Sequence, residues 1–218
     1  METVSFTKTP YALPLFVTQQ NKVLVGILSF IIGAILYLSS NHFLLFTPHH
    51  LALTSLDKAI PFIPATIWIY LTEYFLFISV YLTCKDMANL NKYLYSMLAL
   101  QIVSVIIFIL WPTIYPRVDF PLPAASQSLT IQVFSYFRSI DQPTNCLPSL
   151  HISSCYLSAF VFREEQKSKF WFFFLWATAI GISTLTTKQH YIIDVVAGLF
   201  MAYIFYWLFH RAIRYENA

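Results

Sequence analysis

Six stretches of this chain read as membrane spans, and no other feature constrains its fold as strongly. A helical span takes about 20 predominantly apolar residues. Five stretches meet that length, at about 23–45, 62–83, 92–112, 170–187 and 190–210. A sixth, about 148–162 with the sequence "PSLHISSCYLSAFVF", is short. It is expected to serve as a span if its N-terminal end is buried in protein. The apolar runs are continuous rather than alternating, which favours helices over barrel strands. The expected architecture is therefore all-α: one membrane domain over residues 1–218, folded as a six-transmembrane-helix bundle. In the outer loop between the third and fourth spans, Leu129, Val133, Phe134 and Phe137 recur at near-helical spacing. They predict a short amphipathic helix lying at the membrane interface.

Composition agrees with a bilayer environment. Only 11% of residues are charged, against about a quarter in ordinary soluble domains. The net charge of +3 is too small to argue for a nucleic-acid partner. Three cysteines, Cys84, Cys146 and Cys155, show neither CxxC nor Cys/His metal spacing. No cofactor and no metal are expected. Residues 1–22 lack the basic start, short apolar core and small-residue cleavage site of a signal peptide, so the first apolar segment is expected to stay in the mature protein. Placing the N-terminus inside puts Lys8, Lys22, Lys85, Lys92, Arg163, Lys167, Lys169, Arg211 and Arg214 on the cytoplasmic side. Lys58, Arg117, Arg138 and Lys188 then lie outside. That asymmetry follows the positive-inside rule.

The outer ends of the spans collect ionisable residues. His190 and Asp194 are four apart at the start of the last span, hence on one helical face. A carboxylate on one ring nitrogen fixes the tautomer and leaves the other nitrogen's lone pair free, as a nucleophile or base requires. A self-satisfied helix-end pair is the plainer alternative. In "CLPSLHISS", Pro148 can open a helix, placing Ser149 and His151 in a first turn whose free N–H groups suit an anion. There the plainer reading is a capping serine and an incidental histidine. Arg117, in "WPTIYPRVDFP", offers a planar fork for phosphate oxygens, or simply an anchor to lipid headgroups. Glu73, in the middle of the second span, must face the bundle interior and find a partner. Glu73 and Tyr115 are candidate headgroup contacts. His42, His49 and His50 read as solvated loop residues. Two histidines, one aspartate, Lys188, Arg117 and a helix start on one face suit phosphoryl transfer.

These residues resemble a known family. "PSLH" at 148–151, followed by Ser183, His190 and Asp194 at the spacing S-x6-H-x3-D, is similar to the second and third signature motifs of the phosphatidic acid phosphatase type 2 superfamily, P-S-G-H and S-R-x5-H-x3-D. The resemblance implies that His190 forms a phosphohistidine, that Asp194 orients it, and that His151 acts as general acid and then as base. Arg117 resembles the arginine of the first motif, K-x6-R-P, and Ser149 would line the phosphate pocket. The departures are Leu110 for the first-motif lysine, Val118 for the proline, Leu150 for the second-motif glycine and Thr184 for the third-motif arginine. Lys188 is the candidate replacement cation. The relaxed pattern looks like the branch that holds inositol phosphorylceramide synthases and, more distantly, sphingomyelin synthases.

The expected function is that of a lipid phosphatase acting on a lipid phosphate monoester or pyrophosphate at the outer membrane face. The runner-up is a headgroup phosphotransferase that passes a phospho-headgroup to a lipid alcohol. The expected setting is a bacterial inner membrane, with both termini cytoplasmic and the site periplasmic, or a secretory membrane with the site lumenal. A transporter fits less well, because the ionisable groups gather at one face with only Glu73 at mid-depth.

Overall fold

The computed structural model describes residues 12–123, 128–213 and 215. Lys8 and Arg214, residues 1–11 of the stretch read for a signal peptide, and residues 126–127 at the start of the outer-loop segment lie outside the described residues.

The chain is mainly helical. Its elements are α1 (Lys22–His42), β1 (His49–His50), α2 (Ser55–Ala59), α3 (Ile67–Tyr70), α4 (Glu73–Thr83), α5 (Met87–Leu110), β2 (Thr113–Ile114), α6 (Leu129–Ile140), α7 (Leu150–Phe160), α8 (Lys167–Thr186) and α9 (Ile192–Trp207). A π-helical turn, Leu208–Ala212, extends α9. Among the described residues, five helical stretches are long and apolar enough to cross a membrane: Lys22–His42, Pro64–Thr83, Met87–Leu110, Lys167–Thr186 and Ile192–Ala212. Their outward faces carry large apolar side chains such as Ile27, Ile35, Phe75, Phe172 and Val196. Water would strand that surface and lipid would cover it.

Local sequence explains the helix boundaries. Asp86 caps α5 by accepting from the N–H groups of Ala88 and Asn89 at 2.9 and 3.2 Å, and Ser149 caps α7 by accepting from Ile152 at 3.3 Å. Each satisfies backbone donors that a helix start leaves free. The second apolar stretch opens with a 3-10 turn at Pro64–Thr66 and passes through Leu71–Thr72 between α3 and α4. Tyr70 and Glu73, three residues apart, both face the bundle interior.

The fourth apolar stretch differs from the other five. Its α-helix has 11 residues and continues as a 3-10 turn at Val161–Arg163, too short to stand beside them as a span by length alone. All residues of α7 except His151 are buried, so this helix is the centre of the bundle. Its start is sunk below the ends of its neighbours. His151 packs edge-on against Tyr37, with centroids 5.7 Å apart, and Tyr37 lies five residues before the end of α1, about 8 Å down the axis at 1.5 Å per residue. At the other end, Phe160 packs against Tyr206.

Helices α7 and α9 approach closely at Gly198, where a Cβ would fall 2.7 Å from the Ser149 carbonyl oxygen. Gly181 faces Ile152, whose Cδ1 would lie 3.3 Å from a Cβ there. Small residues let backbones meet where lipid supplies no hydrophobic drive. Leu13 bridges to Tyr215, and the Asn91 side chain holds both backbone groups of Val17. The two ends of the described chain therefore meet beside the start of α5. At the opposite end, β1 pairs in parallel with β2, with His49 opposite Thr113 and His50 opposite Ile114. Both histidines are exposed there.

Candidate active site

The site lies where α7, α9 and the α3–α4 junction converge, at the end of the bundle opposite Leu13 and Tyr215. His190 sits in the turn Thr187–Tyr191 between α8 and α9. Two backbone N–H groups of that turn, from Gln189 and His190, fold back onto the Thr184 carbonyl at 2.9 and 3.2 Å. His190 Nδ1 is 3.3 Å from Asp194 Oδ2. The same oxygen accepts from the Tyr191 N–H at 2.9 Å and from the Tyr115 hydroxyl. Asp194 is completely buried, and these donors are what make a carboxylate tolerable there.

The second histidine is next to the first. His151, in the first turn of α7, turns its Nδ1 toward His190 Nε2 at 3.5 Å. Its Nε2 meets the Tyr70 hydroxyl and lies 3.5 Å from Glu73 Oε1. The result is two carboxylate–imidazole pairs set back to back: Asp194 with His190, then His151 with Glu73. The sequence reading turned Glu73 into the bundle interior, there to be paired, protonated or in contact with a headgroup. It did not pair Glu73 with His151, because 78 residues separate them and nothing local links them.

The residues read as phosphate ligands are also close, with their polar atoms engaged by protein. Arg117 donates from Nη1 to the carbonyls of Arg138 and Asp141 at 3.0 and 2.5 Å. Its Nη2 donates to Gln189 Oε1 at 2.8 Å and lies 3.7 Å from the Asp141 carboxylate. Arg117 thus reaches the side chain of Gln189, the chain neighbour of His190. Burial holds the Asp141 carboxyl above its ordinary value, against the opposing pull of Arg117 and of a hydrogen bond from Tyr37. Lys188 donates to the carbonyls of Asp57 and Ile60 at 2.7 and 2.6 Å and packs over the Phe120 ring. Ser149 is buried as the N-cap of α7. The Tyr115 hydroxyl is spent on Asp194, and its ring packs on Tyr191. Buried polar atoms in this region without a protein partner include Asp194 Oδ1, Gln189 Nε2, the Tyr191 hydroxyl and Arg138 Nε.

A cavity of about 610 Å³ opens from this cluster between α1, α4, α5 and α7. Glu73, Asp141, His151 and Tyr37 line its site end, and it runs down past Gly33, Phe77 and Met97 to Val23 and Leu82 near the other end of the bundle. Its walls are mostly apolar. Glu73 Oε2 is buried there without a partner.

Comparison with known proteins places this arrangement. A family model described as the PAP2 superfamily matches residues 36–208, which hold every residue of the cluster. An uncharacterized protein of Methanocaldococcus jannaschii, MJ0662, is 39% identical over 71 residues, which is 33% of this chain and 29% of that relative. The match thus covers well under two thirds of the relative's length. No solved structure matches the chain.

Proposed function

Because the chain belongs to the PAP2 superfamily, a family of phosphatase- and phosphotransferase-type enzymes, we propose that this multi-pass membrane protein hydrolyses a lipid phosphate through a phosphohistidine on His190. The observation that carries this reading is the 3.5 Å approach of His190 Nε2 to His151 Nδ1, with Asp194 on the far nitrogen of His190.

In the first step, His190 Nε2 attacks phosphorus and the bond to the lipid oxygen breaks, while His151 gives its proton to that oxygen. Asp194 holds the Nδ1–H and stabilises the charge that grows on the ring. In the second step, His151 takes a proton from water, whose oxygen attacks phosphorus and releases His190. Glu73 supports the cationic form of His151, as Asp194 does for His190. The two nitrogens at 3.5 Å leave no room for a phosphoryl group between them, so substrate entry swings the His151 ring aside. Arg117 and Ser149 are proposed around the phosphate, Arg117 through the Gln189 amide.

The reading extends to the membrane. The chain crosses six times as one domain, α7 serving as the buried fourth crossing. Both termini are cytoplasmic and the site faces the periplasm of a bacterial inner membrane, or a lumen, as the lysine and arginine asymmetry supports. Helix α6 lies at the outer interface, with Leu129 and Tyr136 exposed toward lipid headgroups. The test is turnover of phosphatidic acid, labelled in its phosphate, by the purified protein. Release of free phosphate, with transient label on the parent protein and none on His190→Ala, supports the reading. Equal turnover by His190→Ala ends it.

One observation favours a second reading, in which a lipid alcohol replaces water as acceptor. The apolar cavity ends at His151 and at an unpartnered carboxylate oxygen of Glu73, where a hydroxyl would be held beside the general base. Its volume falls in the range of about 300–1,000 Å³ that suits small organic ligands. Both acceptors draw on one intermediate, so the ratio of alkyl phosphate to free phosphate formed in the presence of dodecanol does not depend on how fast that intermediate forms. Glu73→Gln is expected to lower this ratio about tenfold. An unchanged ratio removes the second reading and leaves the first standing.

A further inference from the structure

Lys188 stands beside the attacking histidine in sequence, and the missing third-motif arginine makes it look like a phosphate ligand. Its surroundings indicate a different task. The ammonium donates to the backbone carbonyls of Asp57 and Ile60, at 2.7 and 2.6 Å, and is 4% exposed. The residue itself has φ 55°, a left-handed conformation that a side chain with a Cβ adopts at a cost and keeps only when its surroundings over-determine it.

Those surroundings come from the first outer loop. Asp57, 3% exposed, lies in α2, whose start is fixed by a capping box. The Thr54 hydroxyl accepts from the Asp57 N–H at 3.1 Å, and the Thr54 N–H donates to Asp57 Oδ2 at 3.0 Å. The other carboxylate oxygen, Oδ1, accepts from the Ile192 N–H at 2.9 Å, a free donor of the first turn of α9. On the near side of the turn, Ile63 N–H donates to the Thr186 carbonyl at 2.8 Å, and the Thr66 and Thr186 hydroxyls are 2.7 Å apart. The loop thus grips the polypeptide before His190, at Thr186 and Lys188, and after it, at Ile192.

We propose that Asp57 and Lys188 form a clasp that sets the orientation of His190, Lys188 acting as a positioning residue and not as a phosphate ligand. The proposal rests on the reading of His190 as the attacking group. The clasp holds the turn in one backbone conformation, so that His190 Nδ1 stays on Asp194 and Nε2 stays aimed at the reaction centre. Misplacing a reacting group by about 1 Å can cost on the order of 100-fold in rate, so loosening such a turn acts on kcat. Loss of a phosphate ligand acts on substrate and phosphate affinity instead.

The experiment is a double-mutant cycle on the purified full chain with phosphatidic acid in mixed micelles, using Lys188→Met, Asp57→Ala and the pair. The clasp requires that each single substitution lower kcat about ten- to a hundredfold, with KM and the inhibition constant of inorganic phosphate within about twofold of the parent. It also requires that the pair cost little more than either single change. Asp57→Asn, whose amide oxygen can still accept from Ile192, should recover most of the rate lost in Asp57→Ala. It carries the cycle if Asp57→Ala does not fold. A roughly tenfold rise in KM and in the phosphate constant for Lys188→Met, with kcat near the parent value, overturns the clasp and restores Lys188 as a ligand. Additive losses in the pair also overturn it. Failure of the underlying reading looks different: His190→Ala would then turn over like the parent, whatever Lys188 does.

Discussion

His190 Nε2 and His151 Nδ1 face each other at 3.5 Å, and each ring has a carboxylate behind it, Asp194 at 3.3 Å and Glu73 at 3.5 Å. His151 comes from the first turn of α7 and His190 from the turn before α9, 39 residues apart in the chain. Two imidazoles backed in this way can divide the labour of a double displacement, one attacking while the other moves the proton. Because Asp194 is fully buried while one wall of His151 is the cavity, the two rings also differ in freedom. The first is held by the carboxylate at the start of α9, and the second borders the cavity.

This division of labour predicts different failures for the two histidines. His190→Ala should abolish both turnover and covalent labelling. His151→Ala should also stop turnover of an ordinary lipid phosphate, on the order of 10³-fold or more, since the leaving oxygen has no proton donor. With a substrate whose leaving group needs no proton, such as p-nitrophenyl phosphate, His151→Ala should still form the intermediate and then stall, leaving label on the protein. Rapid-quench measurement of protein-bound phosphate checks this. If His151→Ala releases phosphate from that substrate as fast as the parent, the assignment of His151 as base is wrong.

The reach of the sequence depended on distance along the chain. The pairing of His190 with Asp194 was legible from their spacing, although His190 lies in the turn before α9 and not on its face, and a helix start near His151 was legible, although it begins at Leu150 with Ser149 as its cap and Pro148 outside it. The partnership of Glu73 with His151 was not, since it depends on how α4 packs on α7. Nor was the engagement of Arg117 and Lys188, because their acceptors are mostly backbone carbonyls, which no residue letter encodes. The short fourth segment was visible as a length, with a buried N-terminal end as the condition for its spanning, but what covers that end was not visible. Its helix begins below the ends of its neighbours, at the level of Tyr37 and Glu73. The Asp57 contact with Ile192 joins segments 135 residues apart, beyond any local pattern.

The α7–α9 contact yields a prediction about packing. A Cβ at Gly198 would lie 2.7 Å from the Ser149 carbonyl oxygen and 3.0 Å from Ile152 Cβ, so one helix must move. Both helices carry the site: Ser149 caps the helix that presents His151, and Gly198 is one turn beyond Asp194. Gly198→Ala should destabilise by about 1–3 kcal/mol, as overpacking does. It should also lower kcat by more than the lost folded fraction explains, through a shift of His151 against His190. At Gly181 a Cβ would meet the tip of the Ile152 side chain at 3.3 Å, which can yield, so Gly181→Ala should be the milder change. Thermal midpoints and kcat for the two variants decide it, and the reverse order would show that the α7–α9 spacing does not set the site.

The clasp also has a pH signature, with a sign fixed by its carboxylate. Burial pushes the Asp57 carboxyl upward, but hydrogen bonds from the Ile192 N–H and from the Thr54 hydroxyl and N–H, with the charge of Lys188, outweigh it and leave the group below its ordinary value. A carboxyl depressed in the folded state stabilises the protein above its unfolded value, about 3.9. That stabilisation is lost as pH falls through the lower folded value. Asn at position 57 cannot titrate, so the difference in thermal midpoint between parent and Asp57→Asn isolates this carboxyl, and other acidic groups cancel. The parent should be the more stable at pH 7, and its advantage should disappear on acidification below about pH 4. A difference that stays constant over that range would mean that the Asp57 charge takes no part in holding the His190 turn.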